Sequence, residues 1–343
     1  MTSRFLWTWP WPQGVKKITG PVSLFGFRDI RGKTVCLFGD THFSYANQCT
    51  VDLMDNQAIV SIHDLLISAL TDPSTLVLAE FLYSPRKLPG RWGWYHDRID
   101  TALKHNATVS TQLRTVFHRV LGIPAPVVGG LSKAWISLDS APGVTGIDIR
   151  SEPNVCAWEA CMNFATSPDR VGEELVASTP LIPRWIRAFL LEDDIATFSQ
   201  TLYKGSLVSR YFSRIAYRNG RHEMRSAYVR LSDHDKAVVM RFAKERIALL
   251  MDDVYKGASA NDVDLAIKTT QATIMDIYTA CIIASKLSDP DGPRTLIMYA
   301  GHFHTKNCSR FLEMMWAKPA TLRRDIRSSQ LTGTVSRCVR LRR

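Results

Sequence analysis

The chain has 343 residues, of which 45% are hydrophobic and 10% aromatic, and its 43 Lys+Arg against 32 Asp+Glu give a formal charge of +11 at pH 7. That apolar content fills one large core or two modest ones, which excludes a disordered chain and a disulfide-stapled mini-fold. The longest apolar stretches, residues 59–70 and 274–287, are broken by Ser, His, Asp or Lys well short of the roughly 18 residues of a membrane span, so no bilayer crossing is expected.

Residues 1–21 hold Trp7, Trp9 and Trp11 among Pro10, Pro12 and Pro21, too much proline for a helix, and read as an extended arm. No small-residue cleavage site follows the first apolar residues, so the start reads as mature and not secreted. Residues 22–27 and 34–38 are apolar runs separated by a Gly-containing turn, the pattern of a β-hairpin whose second strand is covered on both faces. Residues 51–70 carry Val51, Met54, Ala58, Ile62, Leu65, Leu66 and Ala69 at helical spacing. Strands are expected at 75–82, 143–150 and 295–300, a helix at 99–121 and a final helix at 308–316. Residues 154–287 read almost wholly as helix. The expected fold class is therefore α/β: a mostly parallel central sheet flanked by helices, in a body over 22–320 with a helical subdomain at about 154–287, followed by an Arg-rich tail at 321–343.

The seven cysteines are an odd number without a C-x-x-C pair, which fits reduced thiols in an intracellular compartment better than a disulfide framework or a zinc finger. Cys156 and Cys161, five residues apart, are expected to pack on one helix.

Four expected strands end in polar residues that a buried apolar run does not need: Asp40 and His42 after Phe38-Gly39, Glu80 after Ala79, Asp148 and Arg150 around Ile149, and His302 and His304 after Gly301. In an open parallel sheet the carboxyl ends of the strands share one edge, and ligands bind in the crevice there. Imidazoles with carboxylates can form a first shell for a divalent metal with an open position, and they can equally activate water without metal, one His acting as base with Glu80 or Asp40 orienting it. The competing explanation for each residue alone is a helix cap or a satisfied polar group. Arg150 is a candidate for binding an anionic substrate. His63, His105 and His118 sit in helical patterns and read as packed or surface residues.

The order G-x-x-H (Gly39 to His42), Glu80, then a second G-x-x-H (Gly301 to His304) resembles the superfamily that groups TIKI and TraB proteins with ChaN-like proteins and erythromycin esterases. The surrounding runs are also similar to uncharacterised proteins of large DNA viruses. The resemblance implies an α/β fold and, as in TIKI-like members, a metal-dependent protease, with His42, Glu80 and His304 as the core set and Asp40 and Asp148 as additions; His302 is not required by the pattern. Other members bind haem or hydrolyse a lactone without metal, so reaction class does not follow from fold. Asp40-x-His42 with Gly301-His302-x-His304 is similar, too, to the first and last motifs of calcineurin-like metallophosphoesterases. The intervening motifs of that family are missing; the nearest approach, Ser232-Asp233-His234-Asp235, reads as a helix N-cap.

Residues 321–343 hold seven Arg against Asp325 alone, so the last 23 residues carry +6 of the total +11. Such a tail can neutralise nucleic-acid phosphates or dock on an acidic partner. The resulting expectation is a hydrolase, protease-like or esterase-like, that holds a divalent metal or works without one. The rivals are a metallophosphoesterase, a non-catalytic viral structural or interaction protein, and a nucleic-acid-associated factor working through the tail. The expected location is intracellular: host cytoplasm or virion if the chain is viral.

Overall fold

The computed structural model describes residues 9–11, 13–40, 59–82, 143–148, 220–256, 260–325 and 338–341. The chain divides into two compact units, residues 1–147 with 289–343, and residues 148–288. The fold is α/β, with mixed parallel and antiparallel sheets and five helices among the described residues. None of those helices is long and apolar enough to cross a membrane.

A six-stranded sheet is made of β2 (Ser23–Ile30), β3 (Lys33–Asp40), β5 (Thr75–Leu82), β6 (Val144–Asp148), β7 (Thr295–Gly301) and β8 (Leu322–Arg324), in the order β6-β5-β7-β3-β2-β8, and all of it but Asp148 belongs to the first unit. β7 pairs in parallel with both β5 and β3, whereas β2 is antiparallel to β3 and β8. A smaller sheet, ordered β4-β1-β9, joins β1 (Lys17–Thr19) to β4 (Ile59–Ser61) in parallel and to β9 (Cys338–Arg340) in antiparallel.

The β2–β3 hairpin forms as its sequence predicts, but its turn is tighter. Arg31 and Gly32 both have positive φ, 49° and 77°, the pair of values that a two-residue hairpin turn of matching twist requires. Every residue of β3 is buried, as a central strand covered on both faces must be.

Strand alternation divides the side chains of the large sheet. On one face Cys36, Phe38, Val77, Ala79, Ile297 and Tyr299 pack with Ile62, Leu65, Leu66 and Ala69 of α1 (Ile62–Thr71), with Ile18 and Val339 of the small sheet behind them. Trp9 and Trp11 stack on each other at 5.2 Å and lie against this cluster. Trp9 covers Gly26, where an added Cβ would stand 2.6 Å from the indole ring, and Arg28 lies 4.2 Å over that ring. The Pro-rich segment thus contributes core at Trp9 and Trp11 and a strand at β1. On the other face lies α5 (His302–Trp316), packed over β3, β7 and β2 through its buried Cys308, Phe311 and Leu312.

The helix expected over 51–70 begins only at Ile62. Ser61 stops it from starting earlier: its hydroxyl accepts the Asp64 N–H at 3.0 Å, a cap worth about 1 kcal/mol, and the β-branched Ile59 and Val60 are drawn into β4 by pairing with β1. Residues 51–58, the helix expected over 99–121, and the part of the helical region before residue 220 lie outside the described residues. The last helix starts six residues before the expected position, and Ala317 ends it with φ 52°.

The described part of the second unit is helical: α2 (Gly220–Val229), α3 (Asp233–Lys256) and α4 (Ala260–Ser288). Ser232 caps α3, its hydroxyl accepting the Asp235 N–H at 3.2 Å, while Asp235 accepts the Ser288 hydroxyl at 2.9 Å. Arg246 of α3 pairs with the fully buried Asp276 of α4 at 3.2 Å.

Two arginines of the terminal segment are engaged in the fold. Arg323 lies near Glu313 (3.6 Å) and Asp325 (3.7 Å), and Arg324 donates to the Arg340 carbonyl at 2.9 Å. The cysteines are not all thiols. Cys36, Cys281 and Cys308 are free and buried, but Cys338 in β9 is disulfide-bonded; linear spacing carries no signal of a pairing made through the fold.

Candidate functional site

The parallel pairing of β5, β7 and β3 sets the frame. Ala79 lies opposite Tyr299, Gly39 opposite Ala300 and Asp40 opposite Gly301, so the strands that carry Asp40, Glu80 and Gly301 finish along one edge. Alternation then separates them: Asp40 shares the α1 face with Phe38, while Glu80, next to Ala79, falls on the α5 face with Gly39.

Glu80 is 5% exposed, and a buried carboxylate needs donors. One is the Gly301 N–H, at 2.5 Å from Oε2. Gly301 is the N-cap of α5 and has no side-chain cap of its own. The bond that a capping-box Glu makes from inside a helix is made here by a Glu from a neighbouring strand, which also sets negative charge at the positive end of the helix. The other oxygen, Oε1, stands 3.9 Å from Nε2 of His304 on the first turn of α5. That is an electrostatic contact, too long for a hydrogen bond.

His302 faces elsewhere. Its Nδ1 is 2.8 Å from the Ser23 hydroxyl and its Nε2 is 3.4 Å from Oδ1 of Asp325, just beyond β8. Burial pushes the His302 imidazole below its ordinary pKa; the Asp325 charge works against that shift, and Lys306 adds to it. The second Asp325 oxygen lies 3.8 Å from Lys306 and 3.7 Å from Arg323. The first turn of α5 reaches this position only because residue 39 is glycine: an added Cβ would stand 2.3 Å from Ser23 Oγ, 2.4 Å from Thr305 Oγ1 and 3.0 Å from His302 Cα. Asp40 accepts the Tyr299 hydroxyl at 2.9 Å.

Of the residues named from sequence, the structure thus brings Glu80 and His304 together, turns His302 towards Ser23 and Asp325, and joins Asp40 to Tyr299. Asp148 is the last residue of β6, beside β5 in the sheet. His42 and Arg150 lie outside the described residues. Among the described residues no three His, Cys, Asp or Glu side chains form a group that could hold a metal ion. Ser23, Tyr299 and Asp325 escaped sequence reasoning. Only Asp325 carried a signal, as the one acid of a basic segment. Phe303, between the two buried histidines, is 67% exposed.

No protein-family model matches the chain, and no match is found among curated proteins or solved structures.

Proposed function

We propose that the chain is a hydrolase of ester or peptide bonds that activates water beside Glu80 and His304. The observation that carries this reading is the buried carboxylate–imidazole pair, 3.9 Å apart, at the strand edge and helix N-terminus. The neutral imidazole can take a proton from water, and the carboxylate beside it stabilises the imidazolium that forms. The motif order shared with TIKI, TraB and ChaN-like proteins agrees with this assignment and adds His42. Glu80 and His304 are also donor types that a divalent cation accepts. Such a cation, held by them with His42, would supply a Lewis acid that lowers the pKa of bound water.

The test is turnover of a panel of activated esters, peptides and phosphate esters, with and without added divalent metal, by the wild type and by Glu80→Gln, His304→Ala and His42→Ala. Loss of roughly 10²- to 10⁴-fold with unchanged circular dichroism is expected for each. Retained turnover in all three sinks the reading, and activity on phosphate esters alone moves the chain to the metallophosphoesterase class. A second reading, an interaction protein without turnover, draws on the burial of Asp40, Glu80, His302 and His304, all 6% exposed or less. It predicts that the same variants lose stability and that the wild type is silent on every substrate.

A further inference from the structure

We propose that His302 is a positioning residue, the centre of a Ser23–His302–Asp325 relay that holds the first turn of α5 against the sheet, and that it is not a metal ligand. The relay joins three elements far apart in sequence: the first residue of β2, the first residue of α5 and the residue that follows β8. A neutral imidazole has one N–H and one lone pair. The Asp325 carboxylate at 3.4 Å from Nε2 selects the N–H for that side, because a lone pair there would face negative charge. Nδ1 is then the acceptor, and the Ser23 hydroxyl at 2.8 Å is its donor.

Two further observations support the assignment. Asp325 Oδ1 is buried and accepts no hydrogen bond, so its 3.4 Å contact with the imidazole is electrostatic, while Lys306 and Arg323 stand beside Oδ2. With the proton on Nε2 and the Nδ1 lone pair taken by the Ser23 hydroxyl, no lone pair is left for a cation. The neighbouring Gly301 N–H, held by Glu80, and His304 are carried on the same turn, so the relay sets the position of the Glu80–His304 pair. Through Asp325 the Arg-rich terminal segment becomes a part of the site. The inference rests on the hydrolase reading only for what the pair does; the relay itself stands without it.

Nitrogen-15 spectra of the full chain labelled at histidine, at neutral pH, test this directly, with His302→Gln identifying the resonances. The wild type should show His302 in one tautomer, protonated at Nε2, with Nδ1 shielded as a hydrogen-bond acceptor. Ser23→Ala should move Nδ1 towards its free-imidazole position, Asp325→Ala should let the other tautomer appear, and Asp325→Glu should restore the first. Added Zn²⁺ should leave the His302 tautomer unchanged and its Nδ1 unmetallated. A tautomer mixture in the wild type, signals indifferent to both alanine variants, or a His302 Nδ1 signal that Zn²⁺ converts to that of a metal-bound nitrogen would overturn the relay. Turnover read on the same samples separates the two ideas: a silent wild type with the relay signals intact rejects the hydrolase and keeps the relay, and an active one without those signals does the reverse.

Discussion

Replacing Gly39 by alanine tests the packing of α5 on the sheet with an effect whose sign is diagnostic. Gly39 lies in the regular β3 strand, where its backbone suits any residue. Without a steric obstacle, alanine there would stabilise the protein by roughly 0.5–1 kcal/mol, since glycine loses more backbone freedom on folding. The obstacle is specific: the new methyl would sit 2.3 Å from Ser23 Oγ, 2.4 Å from Thr305 Oγ1 and 3.0 Å from His302 Cα. The two hydroxyls can rotate away, at the cost of the Ser23–His302 hydrogen bond, about 1 kcal/mol. The His302 Cα cannot move unless the helix moves, and overpacking of that kind costs about 1–3 kcal/mol. The net expectation is destabilisation of about 1–3.5 kcal/mol, a fall in the melting temperature of the first unit on the order of 3–12 °C. Thermal unfolding followed by Trp fluorescence, to which Trp9 and Trp11 contribute, reads it. An unchanged or raised melting temperature would refute the close approach of α5 to β3.

In the second unit, Asp276→Ala should cost about 3–5 kcal/mol in urea unfolding, because it strands the Arg246 guanidinium beside a buried helix face; replacing both partners by apolar residues should cost less. Cys36, Cys281 and Cys308 should resist thiol reagents in the native protein and react on unfolding, since burial pushes the Cys36 and Cys281 thiols far up and all three are fully covered; rapid native labelling of any of them would contradict the packing. At the turn between α1 and β5, burial of Asp72 acts to raise its pKa, but hydrogen bonds from Ser74 and Thr75 and the Arg294 charge outweigh it and hold the carboxyl below 3.8. The stability this adds is present above that value and lost as pH falls through the depressed one, so Asp72→Asn should remove a small acid-dependent part of the unfolding curve below about pH 4.

Much of the α/β frame was legible because its strands are continuous apolar runs closed by turn residues. The run at 75–82 is β5 in full, and 295–300 is β7 but for Gly301. The start of α5 was not legible: its first turn, His302-Phe303-His304-Thr305, is polar on the side that is buried, so the apolar periodicity begins only at Cys308. The helix expected over 51–70 also spanned Ile59 and Val60, which pairing with β1 converts to strand. That polar side chains end the strands could be read from the sequence. Which of them meet could not, because the partners are tertiary: Ser23 and His302 are 279 residues apart, and Tyr299 and Asp40 are 259 apart. The opposite faces of Asp40 and Glu80 follow from register, and register is settled by β7 standing between their strands.

That position of β7 also bears on how the chain is made. β3 and β5 have no edge in common; each waits for β7, which leaves the ribosome only after residues 148–288 have been synthesised. At bacterial-type elongation speeds the interval between the end of β5 and the start of β7 is on the order of 10–40 s, long against helix formation and hairpin closure. For that time two strands offer unpaired edges, the state in which sheet proteins aggregate or recruit chaperones. The helices α2 to α4 draw on contacts within their own stretch and can form while the rest waits. Vectorial synthesis therefore favours a nascent chain in which α2 to α4 have formed while the sheet is still open, to be closed when β7 appears.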